Sequence, residues 1–211
     1  MQGLINILLE NPLMFVVLFL SLVLSIAIHE FSHAYIAHLL GDDTAKNLGR
    51  ITLNPLAHLD PLGTLTLLFV GFGWGKPVPV NYYNLAKPKR DAALIALAGP
   101  ASNFLLAVGS AGLLYVLTAL ASGSPLEFLV KGLVSPLIIY NLVLGVFNLL
   151  PLEPLDGFKV INGLLPPKLS VQWIQLAPYG IYILLFMVLT GLTSRVILPI
   201  VVFFAKVLGV A

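Results

Sequence analysis

"LSIAIHEFSHAYIAHLL", residues 24–40, places three histidines and a glutamate inside a stretch as apolar as lipid. The run begins near residue 12, yet His29, Glu30 and His33 fall within five positions of one another. Ionisable groups at membrane depth are energetically unfavourable and mark functional sites by default. On a helix, His29 and His33 are separated by about one turn of rise and about 40° of rotation, so both imidazoles can reach one metal ion. Glu30 lies about 60° beyond His33 on the same side, within reach of a water held by that metal. This is the H-E-x-x-H arrangement, two ligands and a general base. A structural polar cluster is the competing reading. His38, nine residues from His29, faces elsewhere and is not expected to ligate.

The rest of the chain makes a solvated helix an untenable setting for this motif. Of 211 residues, 59% are hydrophobic and 9% charged, whereas a soluble domain carries roughly 25% charged residues. Too little polar surface remains to cover a globule in water. The expected class is an all-α polytopic membrane protein with five to six transmembrane helices. Apolar spans are read at about 12–40, 91–120, 134–150, 173–193 and 195–211. Residues 62–75 are apolar but interrupted by four glycines, so a short re-entrant or β-like segment is expected around 62–84. A net charge of +2 gives no basis for nucleic-acid binding. The absence of cysteine excludes disulfides and thiolate ligands. The first basic residue is Lys46, so a cleaved signal peptide is not expected.

If 62–75 re-enters, the connections 41–61, 76–90 and 151–172 share one side. That side collects Lys46, Arg50, Lys76, Lys87, Lys89, Arg90, Lys159 and Lys168, eight of the eleven basic residues, and is therefore expected to be cytoplasmic. Residues 1–211 read as a single membrane-embedded domain, with no repeat or linker. In "WGKPVPVNYYN", 74–84, Pro77 and Pro79 exclude a helix and favour extended backbone. That pattern fits an edge strand able to pair with another extended chain, or a plain surface loop.

Two histidines do not complete a catalytic zinc site, which needs a third protein ligand and an open position. Asp42, Asp43, Asp60 and Asp91 lie in or beside basic loops and read as solvated. Glu153 and Asp156 remain, in "FNLLPLEPLDGF", 147–158, where Pro151 and Pro154 unwind an apolar helix and Gly157 is read as a turn. Asp156 is expected on irregular backbone lining a cavity. Local sequence leaves two readings open for it, a metal ligand and a helix or turn cap.

"HEFSH" at 29–33, "AGPASN" at 98–103 and "NLLPLEPLDG" at 148–157 together resemble the site-2 protease family of intramembrane zinc metalloproteases. "GRITLNPLAHLDPLGT", 49–64, and "FGWGKPVPVN", 72–81, resemble its compact bacterial and archaeal branch, which lacks a PDZ or CBS domain. The resemblance covers a catalytic core of about 20–160, followed by C-terminal helices at about 173–211. It implies that His29, His33 and Asp156 hold one zinc ion per chain and that Glu30 is the base and proton shuttle. It implies that Asn148 positions substrate or stabilises the oxyanion. Gly99, Pro100 and Asn103 match the second core helix, where close helix packing is an equal reading. The implied activity is hydrolysis of peptide bonds in or near transmembrane segments of membrane-protein substrates. The implied setting is the lipid bilayer of the plasma membrane, with the site toward the cytoplasm. Glu153 departs from the family pattern and is not assigned to the metal. His58 reads as a hydrogen-bonded structural group. A divalent-metal transporter and an inactive membrane-protein-binding homologue are the alternatives. The ligand set suits zinc without excluding iron, cobalt or manganese.

Overall fold

Proline and asparagine punctuate the helices. The computed structural model describes residues 4–210, which form ten α-helices and no strand. α1 (Leu4–Glu10) gives way to α2 (Pro12–Leu39) at Asn11, whose side chain accepts the Met14 N–H at 3.0 Å, with Pro12 in the first turn. α3 (Thr44–Asn47) and a 3-10 turn at Pro55–Ala57 lead to α4 (Pro61–Val70). Asp60 caps the start of α4 by accepting the Gly63 N–H at 2.7 Å, and Gly71 ends it at φ +80°, a left-handed conformation that suits glycine. α5 (Pro88–Leu120), α6 (Pro125–Asn148), α7 (Asp156–Leu164), α8 (Pro167–Ile174), α9 (Ala177–Leu189) and α10 (Leu192–Val207) follow.

Three helices, α2, α5 and α6, are long and apolar enough to cross a membrane, and a fourth span arises if α8 and α9, bent by 58°, are taken as one. That is fewer than the five to six expected. α10 has only sixteen residues and α4 ten, about 24 Å and 15 Å of helix, short of the roughly 30 Å hydrocarbon core. The multi-pass, all-helical membrane architecture stands. The β-like expectation for 62–84 reduces to α4 and one isolated antiparallel bridge between Leu59 and Gly75. The third span begins at Pro125 rather than near 134.

α5 is the central post, packing against α2, α6 and α7. Its Ala107, Ala111 and Leu114 meet Ile138, Leu142 and Val146 of α6 and Ile197, Val201 and Ala205 of α10 in one buried cluster. Small residues on α5 let the backbones approach, the usual solution where lipid removes the hydrophobic drive between helices. Its outer face is apolar and bare, with Leu105 74% and Tyr115 77% exposed, as a lipid-facing surface requires.

Two acids read as solvated are buried. Asp91 accepts the Lys87 N–H at 2.8 Å and caps α5. Asp42 is fully buried just past α2. Its Oδ1 accepts from the Thr44 N–H (3.1 Å), the Thr44 hydroxyl (2.5 Å) and Asn84 Nδ2 (2.8 Å), while Oδ2 accepts the Asn81 N–H (2.7 Å). Asp42 thus staples residues 81–84 to the end of α2. Burial pushes this carboxyl up, but the hydrogen bonds from Thr44, Asn84 and Asn81 outweigh it and hold the group below the ordinary carboxylate range. A lowered folded pKa contributes stability that is present above the unfolded value of about 3.9 and is lost as pH falls through the folded value. Asp42→Ala, which leaves buried donors unmatched, is expected to cost about 1–3 kcal/mol. A lowered unfolding midpoint in detergent at neutral pH, with the gap to wild type narrowing in acid, is the expected reading.

Candidate metal centre

The imidazoles of α2 are fixed by bonds that leave their inner nitrogens bare. Asn103 on α5 donates through Nδ2 to the Ser25 carbonyl (3.2 Å) and to Asn141 Oδ1 on α6 (2.7 Å). A carbonyl only accepts, so Nδ2 is the amide nitrogen and Oδ1 is the acceptor facing His29 Nδ1 at 2.7 Å. His29 Nδ1 therefore carries the proton. His33 Nδ1 lies 2.7 Å from the Ile95 carbonyl and must carry its proton too. Both neutral rings then present an Nε2 lone pair inward, and the two Nε2 atoms are 3.0 Å apart.

Asp156 joins them from the other end of the sequence. Its Oδ2 lies 3.1 Å from His29 Nε2 and 3.3 Å from His33 Nε2, and is buried with no hydrogen-bond partner. Three acceptors without a shared proton repel one another unless a cation lies between them. Bonds of roughly 2.0–2.1 Å in a tetrahedron make edges of about 3.3–3.4 Å, close to the triangle seen here. The donor set and its spacing fit a zinc ion. Each imidazole is oriented through its other nitrogen, by Asn103 Oδ1 and the Ile95 carbonyl, as second-shell groups orient metal-binding histidines.

Three local features bring these atoms together. Gly99 lies where α5 crosses the histidine pair: a Cβ there would stand 2.5 Å from His29 Cε1 and from His33 Nε2. Asp156 is the first residue of α7, entered from extended Leu155, rather than part of an irregular loop. Gly157 is helical, not a turn. A side chain there would collide with the Leu149 and Leu150 carbonyls, so glycine permits close approach of the strand-less 149–155 connection. Ser25 completes the support, accepting from Asn141 Nδ2 at 2.8 Å and donating to Ser21 O at 2.7 Å.

A cavity of about 390 Å³ reaches His29, His33 and Asp156, and Glu30 and Asn148 line it as well. Glu30 is half-buried. Asn148 donates to the Leu144 carbonyl of its own helix at 3.0 Å. Val78 and Val80 line the cavity too. His38 pairs with Asp43 at the surface and His58 is fully buried, neither of them in the cavity. The sequence reading missed Ser25 and Asn141. Their signal was present: Ser25 lies one turn before His29 on the same face, and Asn141 is a lone amide in "PLIIYNLVLGV".

The comparisons agree with the chemistry of the donor set. The model of peptidase family M50 matches residues 17–190. "Putative zinc metalloprotease YwhC" of Bacillus subtilis is 43% identical over 190 residues, covering 86% of this chain and 84% of that protein. "Putative zinc metalloprotease Rip2" of Mycolicibacterium smegmatis is 30% identical over 209 residues, covering 95% of this chain and 79% of that protein. "Zinc metalloprotease MJ0392" of Methanocaldococcus jannaschii is 26% identical over 195 residues, covering 92% of this chain and 48% of that protein. No solved structure matches the chain. The chain belongs to peptidase family M50, the site-2 protease family, and is a zinc-dependent metalloprotease of the membrane.

Proposed function

We propose that this protease is an intramembrane endopeptidase that cuts membrane-protein substrates in or near their transmembrane segments, using one zinc ion per chain held by His29, His33 and Asp156. The observation that carries the reading is the meeting of three proton-free acceptors in a cavity that also holds Glu30. His29 is the eighteenth residue of α2, about 25 Å along it, within the bilayer and toward the end that leads into the basic connections. The cluster of basic residues on that side supports a cytoplasmic orientation in the plasma membrane. Residues 1–211 act as one membrane-embedded domain on this reading.

A zinc ion there would acidify a water molecule and polarise the scissile carbonyl. Glu30 takes the proton and returns it to the leaving amine nitrogen. Asn148, with one amide hydrogen still free of the Leu144 carbonyl, donates to the carbonyl oxygen as charge develops on it. A substrate helix has its carbonyls bonded internally and must unwind first. The non-helical residues 76–81 supply the template: among the described residues the N–H groups of Val78 and Val80 bond to nothing in the protein, and both residues line the cavity.

Glu30→Gln is expected to retain zinc at wild-type stoichiometry and to lose cleavage of a single-pass substrate by about 10²–10⁴-fold. Asp156→Ala is expected to lose both. Metal analysis beside the cleavage assay decides it, and equal cleavage by Glu30→Gln would refute the base. Asn103→Leu removes the acceptor of His29 Nδ1 and should weaken zinc affinity about 10–100-fold. Competition with a chelator measures this. Val78→Pro deletes one template N–H. Its expected effect is a fall in kcat/KM on a helical substrate at unchanged zinc content, and full activity would discard the template.

A further inference from the structure

The cavity wall Gly75–Val78 lies outside any helix, and Arg50 holds it. Arg50 Nη1 donates to the Pro77 carbonyl at 2.9 Å and Nη2 to the Lys76 carbonyl at 2.6 Å. Nη2 also points to His58 Nδ1 at 3.4 Å. His58 Nε2 lies 2.8 Å from the Thr52 carbonyl, so Nε2 carries the proton and Nδ1 turns its lone pair to Arg50. The His58 carbonyl accepts the Lys76 N–H at 2.8 Å. Lys76 is therefore gripped at both its backbone groups by one arginine–histidine pair.

At Gly75 this wall passes beside Glu30. A Cβ on Gly75 would stand 3.2 Å from His58 O and from Ile26 Cγ2, and 3.6 Å from Glu30 Oε1. Backbone with no side chain thus passes between the His58 loop and the turn of α2 that carries Glu30. Arg50 is 5% exposed, and among the described residues it has no carboxylate within 4.0 Å. Its Nε is buried without a partner. Burial pushes the guanidinium down from its ordinary value, and the charge that opposes this is that of Glu30. Closing a loop does not require a buried cation without an ion-pair partner, since neutral donors would serve at lower desolvation cost. The arrangement has a reason if the cation serves Glu30.

We propose that Arg50, oriented by His58, is a positioning residue for Glu30: it locks Gly75–Val78 as the wall against the carboxylate and supplies its positive field. The proposal rests on Glu30 acting as the base. The chain has no cysteine, so Val78→Cys gives a single reporter whose labelling by a water-soluble maleimide follows the wall directly. Arg50→Gln, Arg50→Lys, His58→Asn and His58→Leu would be compared with wild type for bound zinc, kcat, KM and Val78→Cys labelling. The expected result is unchanged zinc, kcat lower by about 10–100-fold in Arg50→Gln with KM changed far less, and faster labelling. Arg50→Lys should keep the charge but not the fork, and fall between. His58→Asn, which keeps an acceptor in place of Nδ1, should retain more activity than His58→Leu. Wild-type kcat in Arg50→Gln, unchanged labelling, or parallel loss of zinc and folding would each overturn the proposal. Full cleavage by Glu30→Gln in the same assay would instead remove the base itself, an outcome distinguished because the labelling comparison does not depend on cleavage.

Discussion

Three lone pairs pointing at one another in a low-dielectric interior are the constraint to which the rest of this fold answers. His29 Nε2, His33 Nε2 and Asp156 Oδ2 lie within 3.0–3.3 Å with no proton between them. Every neighbouring choice keeps them so. Asn103 and the Ile95 carbonyl take the outer protons, Gly99 withholds a side chain from the gap, and α7 begins at the residue that must reach in. An aspartate at the first turn of a helix also meets the positive end of the helix dipole, so the same placement stabilises α7 and the ligand charge.

The polar groups of the interior are arranged in two tiers with different duties. Ser25, Asn103 and Asn141 tie α2, α5 and α6 beneath the histidines, with their amide hydrogens and oxygens matched. Asp42, Arg50 and His58 organise the connection between α2 and α5, which carries no span of its own. One tier sets the His29–His33–Asp156 triangle and the other sets one wall of the cavity beside it. A deeply buried arginine in a connection rich in basic residues shows that positive charge here is not all directed at topology.

Much of the site was legible because it is local. The four-residue spacing of His29 and His33 fixes a shared face whatever the fold does, and an apolar flank denies Glu30 a trivial solvated role. Asp156 could be narrowed by elimination, but its meeting with His29 and His33 is tertiary and needed the fold. The asparagine network was hidden because its partners stand 78 and 116 residues apart. Asp42 looked solvated because burial depended on Asn81 and Asn84, some forty residues on. The start of α6 was misplaced because Glu127 and Lys131 lower its hydropathy, although they pair at 2.7 Å one turn apart and favour the helix. The division into spans was less legible for a related reason. Apolar composition reports an oily environment, while glycine and proline decide whether ten or twenty-eight residues stay in one rod.

The Ser25–Asn103–Asn141 network closes on itself without any contribution from an ion. That separates this protein from small zinc modules, whose folding free energy is largely their metal-binding free energy. The staple across α2, α5 and α6 is therefore helix glue as much as site support, and cutting it would loosen three spans at once.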